Sequence, residues 1–168
     1  MIKNHKSSEN NLIDGFEPFY DKNAQVLILG SFPSVKSREI NFYYGNKQNR
    51  FWKMLSEFFD MPVETIEQKK DLLIKFKIAL WDIVVKCEIT GSQDSTIKNY
   101  AVADIPQLFV NAKNIEKILV NGKTAFKIFT KNFPELNSLA VCLPSTSPAN
   151  TKFDNDIWFS ELDLLTKM

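Results

Sequence analysis

Gln25-Val26-Leu27-Ile28-Leu29-Gly30-Ser31-Phe32-Pro33-Ser34 is the stretch from which the architecture follows. Its apolar run ends in Gly30, the pattern of a short strand buried on both faces. Such strands belong to parallel sheets covered by helices, so further runs of the same kind should alternate with helical stripes. They do. Residues 78–85 (IALWDIVV) form a second run, interrupted by Asp82, 115–120 form a third, and 139–143 a fourth that Pro144 ends. Between them, 49–59 carries Phe51, Trp52, Leu55, Phe58 and Phe59 on one helical face. Helices are also expected over 65–76, 105–112, 122–133 (inner face Ala125, Phe126, Phe129, Phe133) and 155–166 (Ile157, Trp158, Leu162, Leu165). Residues 87–99 read as a polar loop. The expected fold is α/β, a three-layer α/β/α domain around a mainly parallel four-stranded sheet. It spans 1–168 as one domain, with 1–20 a partly ordered arm that Phe16, Pro18, Phe19 and Tyr20 pack onto the domain edge.

Composition narrows the function classes. The 168 residues are 44% hydrophobic and 24% charged, enough for a core without disulfides or metal. A net charge of +1 gives no global attraction to nucleic acid, so DNA binding must rest on a local patch. The two cysteines, Cys87 and Cys142, lie far apart and fit a reducing compartment rather than a disulfide or zinc framework. His5, the only histidine, lies in the polar arm, which disfavours a mechanism needing a histidine inside the fold. No apolar run approaches the roughly 20 residues of a membrane helix, and residues 1–11 lack an apolar signal segment. A cytoplasmic monomer without membrane contact is expected. Fourteen Phe predict a core or a cleft rich in aromatic faces.

Ligands of parallel sheets bind beyond the carboxyl ends of the strands. Here those positions are 31–48, 86–99, 121–122 and 144–152. Gly30-Ser31-Phe32-Pro33-Ser34 can bring backbone amides close to a ligand, though it is neither a dinucleotide fingerprint nor a Walker loop. By itself it is equally an ordinary turn. Tyr43-Tyr44-Gly45-Asn46-Lys47-Gln48-Asn49-Arg50-Phe51-Trp52 joins flat aromatic faces to amides. Around it Lys36, Arg38, Lys47, Arg50 and Lys53 face the single acid Glu39, as binding of a flipped base or single strand would require. The alternative is a tyrosine-lined core loop with solvated lysines. Leu143-Pro144-Ser145-Thr146-Ser147-Pro148-Ala149-Asn150 offers three hydroxyls between stiffening prolines, suited to phosphate contacts or to a surface turn.

Taken together and in this order, these segments resemble the uracil-DNA glycosylase superfamily, nearest its hypoxanthine-DNA (deoxyinosine) glycosylase branch, related to the mismatch-specific uracil enzymes. The matching motifs are Gly30 to Ser34, Tyr43 to Trp52, Leu80-Trp81-Asp82, Gly91 to Ile97, Asn121-Gly122 and Leu143 to Ala149, within about residues 25–153. Two departures stand out. The family's His-Pro is Asn46-Lys47 here, and the water-holding Asn of the mismatch enzymes is replaced by Phe32. The second departure favours the hypoxanthine branch.

The resemblance implies a monofunctional enzyme that hydrolyses the N-glycosidic bond of a deaminated base in DNA, without cofactor or metal. It works by positioning and preorganised dipoles. The residues so assigned are Asn49, Asn121 and Gln48 as catalytic groups, with Asn121 reading a base edge. Tyr44, Phe32, Ser31 and Asp94 bind the base, with Tyr44 stacking on it. Lys47, Arg50, Ser145, Thr146, Ser147 and Asn150 contact DNA. Asp94 is equally readable as a loop cap. Uracil or G/U-mismatch excision is the nearer alternative, and a DNA-binding domain without catalysis the more distant one.

Overall fold

The computed structural model describes residues 11–167, so His5 and the first half of the arm lie outside the described residues. In chain order the elements are β1 (Ile13–Asp14), β2 (Val26–Gly30), α1 (Val35–Ile40), α2 (Phe51–Phe59), α3 (Ile66–Lys75), β3 (Ile78–Asp82), β4 (Val84–Glu88), β5 (Lys98–Val102), α4 (Ile105–Asn111), β6 (Lys117–Asn121), α5 (Lys123–Asn132), β7 (Ala140–Leu143) and α6 (Asn155–Thr166). Short 3-10 turns cover Asp94–Thr96 and Pro134–Leu139.

Strands β3-β2-β6-β7 form one four-stranded sheet, in that order, with every pairing parallel. Two apolar layers cover it. On one face Trp158 and Leu162 of α6, Leu72 and Leu73 of α3 and the inner residues of α2 pack on Val26, Ile28, Ile78 and Leu80. On the other, α4 and α5 bury Ile105, Leu108, Ala125 and Phe129 against Leu27, Leu29, Ala79 and Ile118. This is the expected three-layer α/β/α arrangement. Each strand buries alternate side chains in opposite layers, which is why its apolar run is continuous rather than alternating.

Three differences from the sequence reading have clear causes. The run 78–85 is two strands, because the chain leaves the sheet after Asp82. Ile83 is the junction, its N–H still bonded to Gly30 O of β2 (2.8 Å) while its carbonyl accepts from Ala103 N (2.8 Å), just past β5. Strand β4 then joins a second, antiparallel sheet in the order β1-β4-β5, so 87–99 is not all loop. Within the turn-rich segment α1 forms, capped by Ser34, whose Oγ accepts from Ser37 N at 3.1 Å.

The described part of the arm covers the β3 edge of the sheet. Phe19 exchanges backbone hydrogen bonds with Leu80 (2.9 and 2.8 Å), and Trp81 Nε1 donates to Phe16 O at 2.9 Å. An uncovered edge strand would be a template for unwanted pairing.

Candidate active site

In the sheet, β2 is flanked by β3 on one side and by β6 on the other. The chain therefore reverses its direction of strand addition between β2 and β6, the point beyond whose carboxyl ends open α/β sheets take their ligands. Gly30-Ser31, Asp82, Asn121-Gly122 and the segment after Leu143 all end there.

Gly30 pairs in register with Asp82. A side chain at Gly30 would collide with Asp82 Oδ1 and lie 3.0 Å from Tyr44 Oη. The glycine is thus what lets a carboxyl and a phenol converge on one strand end. Gly122 has φ +98, and a Cβ there would sit 3.1 Å from Ser145 Cβ. It turns β6 directly into α5.

Tyr44 adopts the left-handed conformation (φ 53). Its ring stacks on Phe51 with centroids 3.9 Å apart and planes 26° from parallel. Burial, and next the nearby Asp82, push its phenol far above the ordinary range, so it stays protonated. Asn121 Nδ2 donates to Tyr44 Oη (3.2 Å) and to Thr146 Oγ1 (3.0 Å), while its Oδ1 accepts from Thr146 N (3.0 Å).

Asn49 stands at the entrance to α2. Its Oδ1 accepts from Phe51 N at 3.0 Å, which caps the helix and orients the amide. Among the described residues its Nδ2 has no partner. Ser31 Oγ donates to Asp94 Oδ2 at 2.8 Å, tying the loop after β4 to the end of β2. Two more ties hold that loop, from Val35 N to Ser92 Oγ (2.9 Å) and from Arg38 Nη2 to Gly91 O (3.1 Å). Burial raises the carboxyl pKa of Asp94, partly opposed by the Ser31 hydrogen bond. Asp82 is 5% exposed, its pKa pushed up to about 8 by burial first and Asp94 second.

Several expected roles are corrected by this geometry. Phe32 is 7% exposed and packs in the α4–α5 layer beside Gly15, so its ring offers no stacking face to a base. Thr146 is fully buried and bonded to Asn121, so its hydroxyl cannot meet a phosphate. Asn121, 8% exposed, spends both amide hydrogens inside the protein, so it brackets the site rather than offering a free donor to a base edge. Arg50 Nη1 donates to Ser147 O (2.9 Å) and Asn150 O (3.0 Å), and its guanidinium lies 5.1 Å from the Phe153 ring centroid. It holds the loop after β7 in place.

The basic patch is thinner than the sequence suggests. Arg38 and Arg50 brace loops, and Lys36 pairs with Glu39 at 3.3 Å. Lys47, Gln48 and Lys53 are exposed, while Ser145, Ser147 and Asn150 are half-buried. Asn150 Nδ2 donates to Ser145 O at 3.0 Å, which stiffens the turn. Among the described residues no cluster of three or more His, Cys, Asp or Glu is placed to hold a metal ion, and no helix is long and apolar enough to cross a membrane. Sequence reasoning missed the convergence of Asp82 and Tyr44 on Gly30. The available signal was a lone carboxylate inside an otherwise apolar strand.

A three-layer α/β domain with polar and aromatic side chains gathered at its strand switch point holds them where open α/β sheets bind ligands. The chain belongs to the uracil DNA glycosylase superfamily, whose family model matches residues 17–162. It is 31% identical over 144 residues to the hypoxanthine DNA glycosylase of Methanosarcina acetivorans, covering 84% of this chain and 90% of that protein. To the hypoxanthine DNA glycosylase of Methanosarcina barkeri it is 33% identical over 111 residues, covering 65% of this chain and 70% of that one. A solution NMR structure of a protein assigned as a uracil DNA glycosylase, from Methanosarcina acetivorans, superimposes with a TM-score of 0.80 at 29% identity. The match covers 92% of this chain and 99% of that one.

Proposed function

We propose that this chain is a monofunctional DNA glycosylase that hydrolyses the N-glycosidic bond of a deaminated base extruded from DNA, with hypoxanthine its preferred base. The observation that carries the reading is Asn49. Its oxygen is locked by Phe51 N, which leaves the Nδ2 donor fixed two residues from the ring on which Tyr44 rests. Tyr44, braced on one face by Phe51, takes the extruded base on the other, a contact worth about 1–3 kcal/mol. Asn49 Nδ2 then bonds the nucleotide or the attacking water, and no reorganisation is needed at the moment of reaction.

Water adds its oxygen to C1′, the C1′–N bond breaks, and its electron pair leaves with the base. Strand cleavage would need an amine nucleophile, whereas this reading gives the exposed Lys47 and Lys53 to the DNA phosphates. Gln48, Ser145, Ser147 and Asn150 follow the DNA backbone from the rim. Ser31 and Asp94 shape the pocket wall through their mutual hydrogen bond.

Uracil excision is the second reading, favoured by the NMR neighbour. The test is product analysis on end-labelled duplexes carrying inosine, uracil, xanthine or a G·T mismatch. Free hypoxanthine and an abasic strand that breaks only on alkaline treatment are expected. A strand nicked without alkali would overturn the monofunctional mechanism.

A further inference from the structure

Asp82 is a carboxyl at the strand ends that the reading above leaves unused, and its surroundings are unusual for a structural residue. It closes β3 on the sheet face that carries Ile78 and Leu80, beneath the Tyr43–Tyr44 segment. It is 5% exposed, and among the described residues its Oδ2 has no hydrogen-bond partner. Buried polar atoms are nearly always paired, because an unpaired one forfeits its hydration without return. An unpaired buried carboxyl costs the fold stability rather than supplying it. Its Oδ1 and Tyr44 Oη approach the same point beside Gly30, which sets the carboxyl next to the tyrosine that the reading above gives to the base.

We infer that Asp82 is a catalytic residue, a neutral carboxylic acid that donates its proton to the departing base. This rests on the glycosylase reading above. As the C1′–N9 bond breaks, its electron pair moves onto the purine. The Asp82 O–H bond breaks and its proton goes to a basic atom of the leaving base. The attacking water loses a proton as its oxygen bonds C1′, and that proton restores the acid. Atoms and charge balance with water as the only co-reactant.

Of the groups facing Asp82, Asp94 is the one whose charge opposes its ionisation. Tyr43 and Tyr44 come from the loop before α2, and both are themselves held neutral by burial and by Asp82. Asp94, from the loop after β4, is a second acid whose charge opposes ionisation of the first. Burial acts in the same direction and is the larger cause. A general acid that titrates near the working pH is well matched to this task.

The experiment is single-turnover release of hypoxanthine from an inosine duplex between about pH 5.5 and 9.5. It compares the unaltered chain with Asp82→Asn and Asp94→Asn, with melting curves as the folding control. In the unaltered chain the rate should fall above about pH 8. Asp82→Asn should melt no lower than the parent, lose about 100-fold in rate at neutral pH, and lose the alkaline fall. Asp94→Asn should shift that fall to lower pH, which tests the assignment even if Asp82→Asn misfolds. An Asp82→Asn rate within about threefold of the parent would overturn the inference. So would an alkaline fall that persists in Asp82→Asn and stays put in Asp94→Asn, since it would belong to the substrate's own N1–H. If the unaltered chain releases no base at any pH, the glycosylase reading itself fails, a result distinct from both.

Discussion

Asn121 donates to the Tyr44 hydroxyl across 3.2 Å, joining the end of β6 to a tyrosine 77 positions earlier in the chain. The same amide holds Thr146 through two further hydrogen bonds, so one side chain fixes the aromatic wall and the loop after β7 together. Asn121→Ala should leave the Thr146 N–H and hydroxyl buried without partners, a loss of about 1–3 kcal/mol in stability. Thermal melting checks this, and an unchanged midpoint would remove Asn121 from its bracketing role.

Asn49 has two duties that substitution can separate. Asn49→Ala should cost about 1 kcal/mol through the lost helix cap and about 100-fold in single-turnover base release. Asn49→Asp keeps the cap acceptor for Phe51 N and removes the Nδ2 donor. It should melt near the parent temperature yet remain as slow as the alanine variant. A fast Asn49→Asp protein would reduce Asn49 to a cap.

Charge at the rim should act without regard to sequence. Lys47→Glu and Lys53→Glu are expected to weaken duplex binding uniformly and to lower the salt slope by about one each. Arg50→Ala should instead lower the melting temperature, because its guanidinium holds the Ser147 and Asn150 carbonyls. Fluorescence anisotropy across a salt series measures the first effect and calorimetry the second. Binding indifferent to salt would mean the patch is misplaced.

Stability should also depend on pH through Asp82. Its pKa is about 8 in the fold against about 3.9 unfolded, so the folded state holds the proton more tightly. That contribution is complete below about pH 4 and is lost as pH rises through about 8. Asp94, raised in the same direction, adds to the trend. Melting temperature should therefore fall between about pH 5 and 8 in the parent and fall less in Asp82→Asn. Equal slopes in the two proteins would contradict the burial of an unpaired carboxyl.

The layers were legible because each central strand is a short apolar run and each packed helix carries an apolar stripe, as in 25–30 and 155–166. The polar pieces were not. Strand β5 (Lys98–Val102) buries no residue, with Lys98, Asn99 and Ala101 exposed, and pairs with β4 through two register shifts, so no apolar pattern announces it. Helix α1 has six mostly polar residues and only Ser37 buried, held by a serine cap rather than by an apolar face. At the site, motif order placed Tyr44, Asn49 and the loop after β7 at the strand ends. It could not tell that Phe32, two residues past Gly30, turns into the core, or that Arg50 and Thr146 face inward. Those directions depend on partners 97 and 25 positions away. With Phe32 turned into the core, the proposed preference for hypoxanthine rests on Tyr44 stacking and on the weaker pairing of inosine.

The most direct test is therefore the ratio of single-turnover release rates from otherwise identical duplexes carrying inosine or uracil. The account predicts that inosine is cleaved at least about tenfold faster, a difference of about 1.4 kcal/mol in barrier. Release of uracil at an equal or greater rate would contradict it.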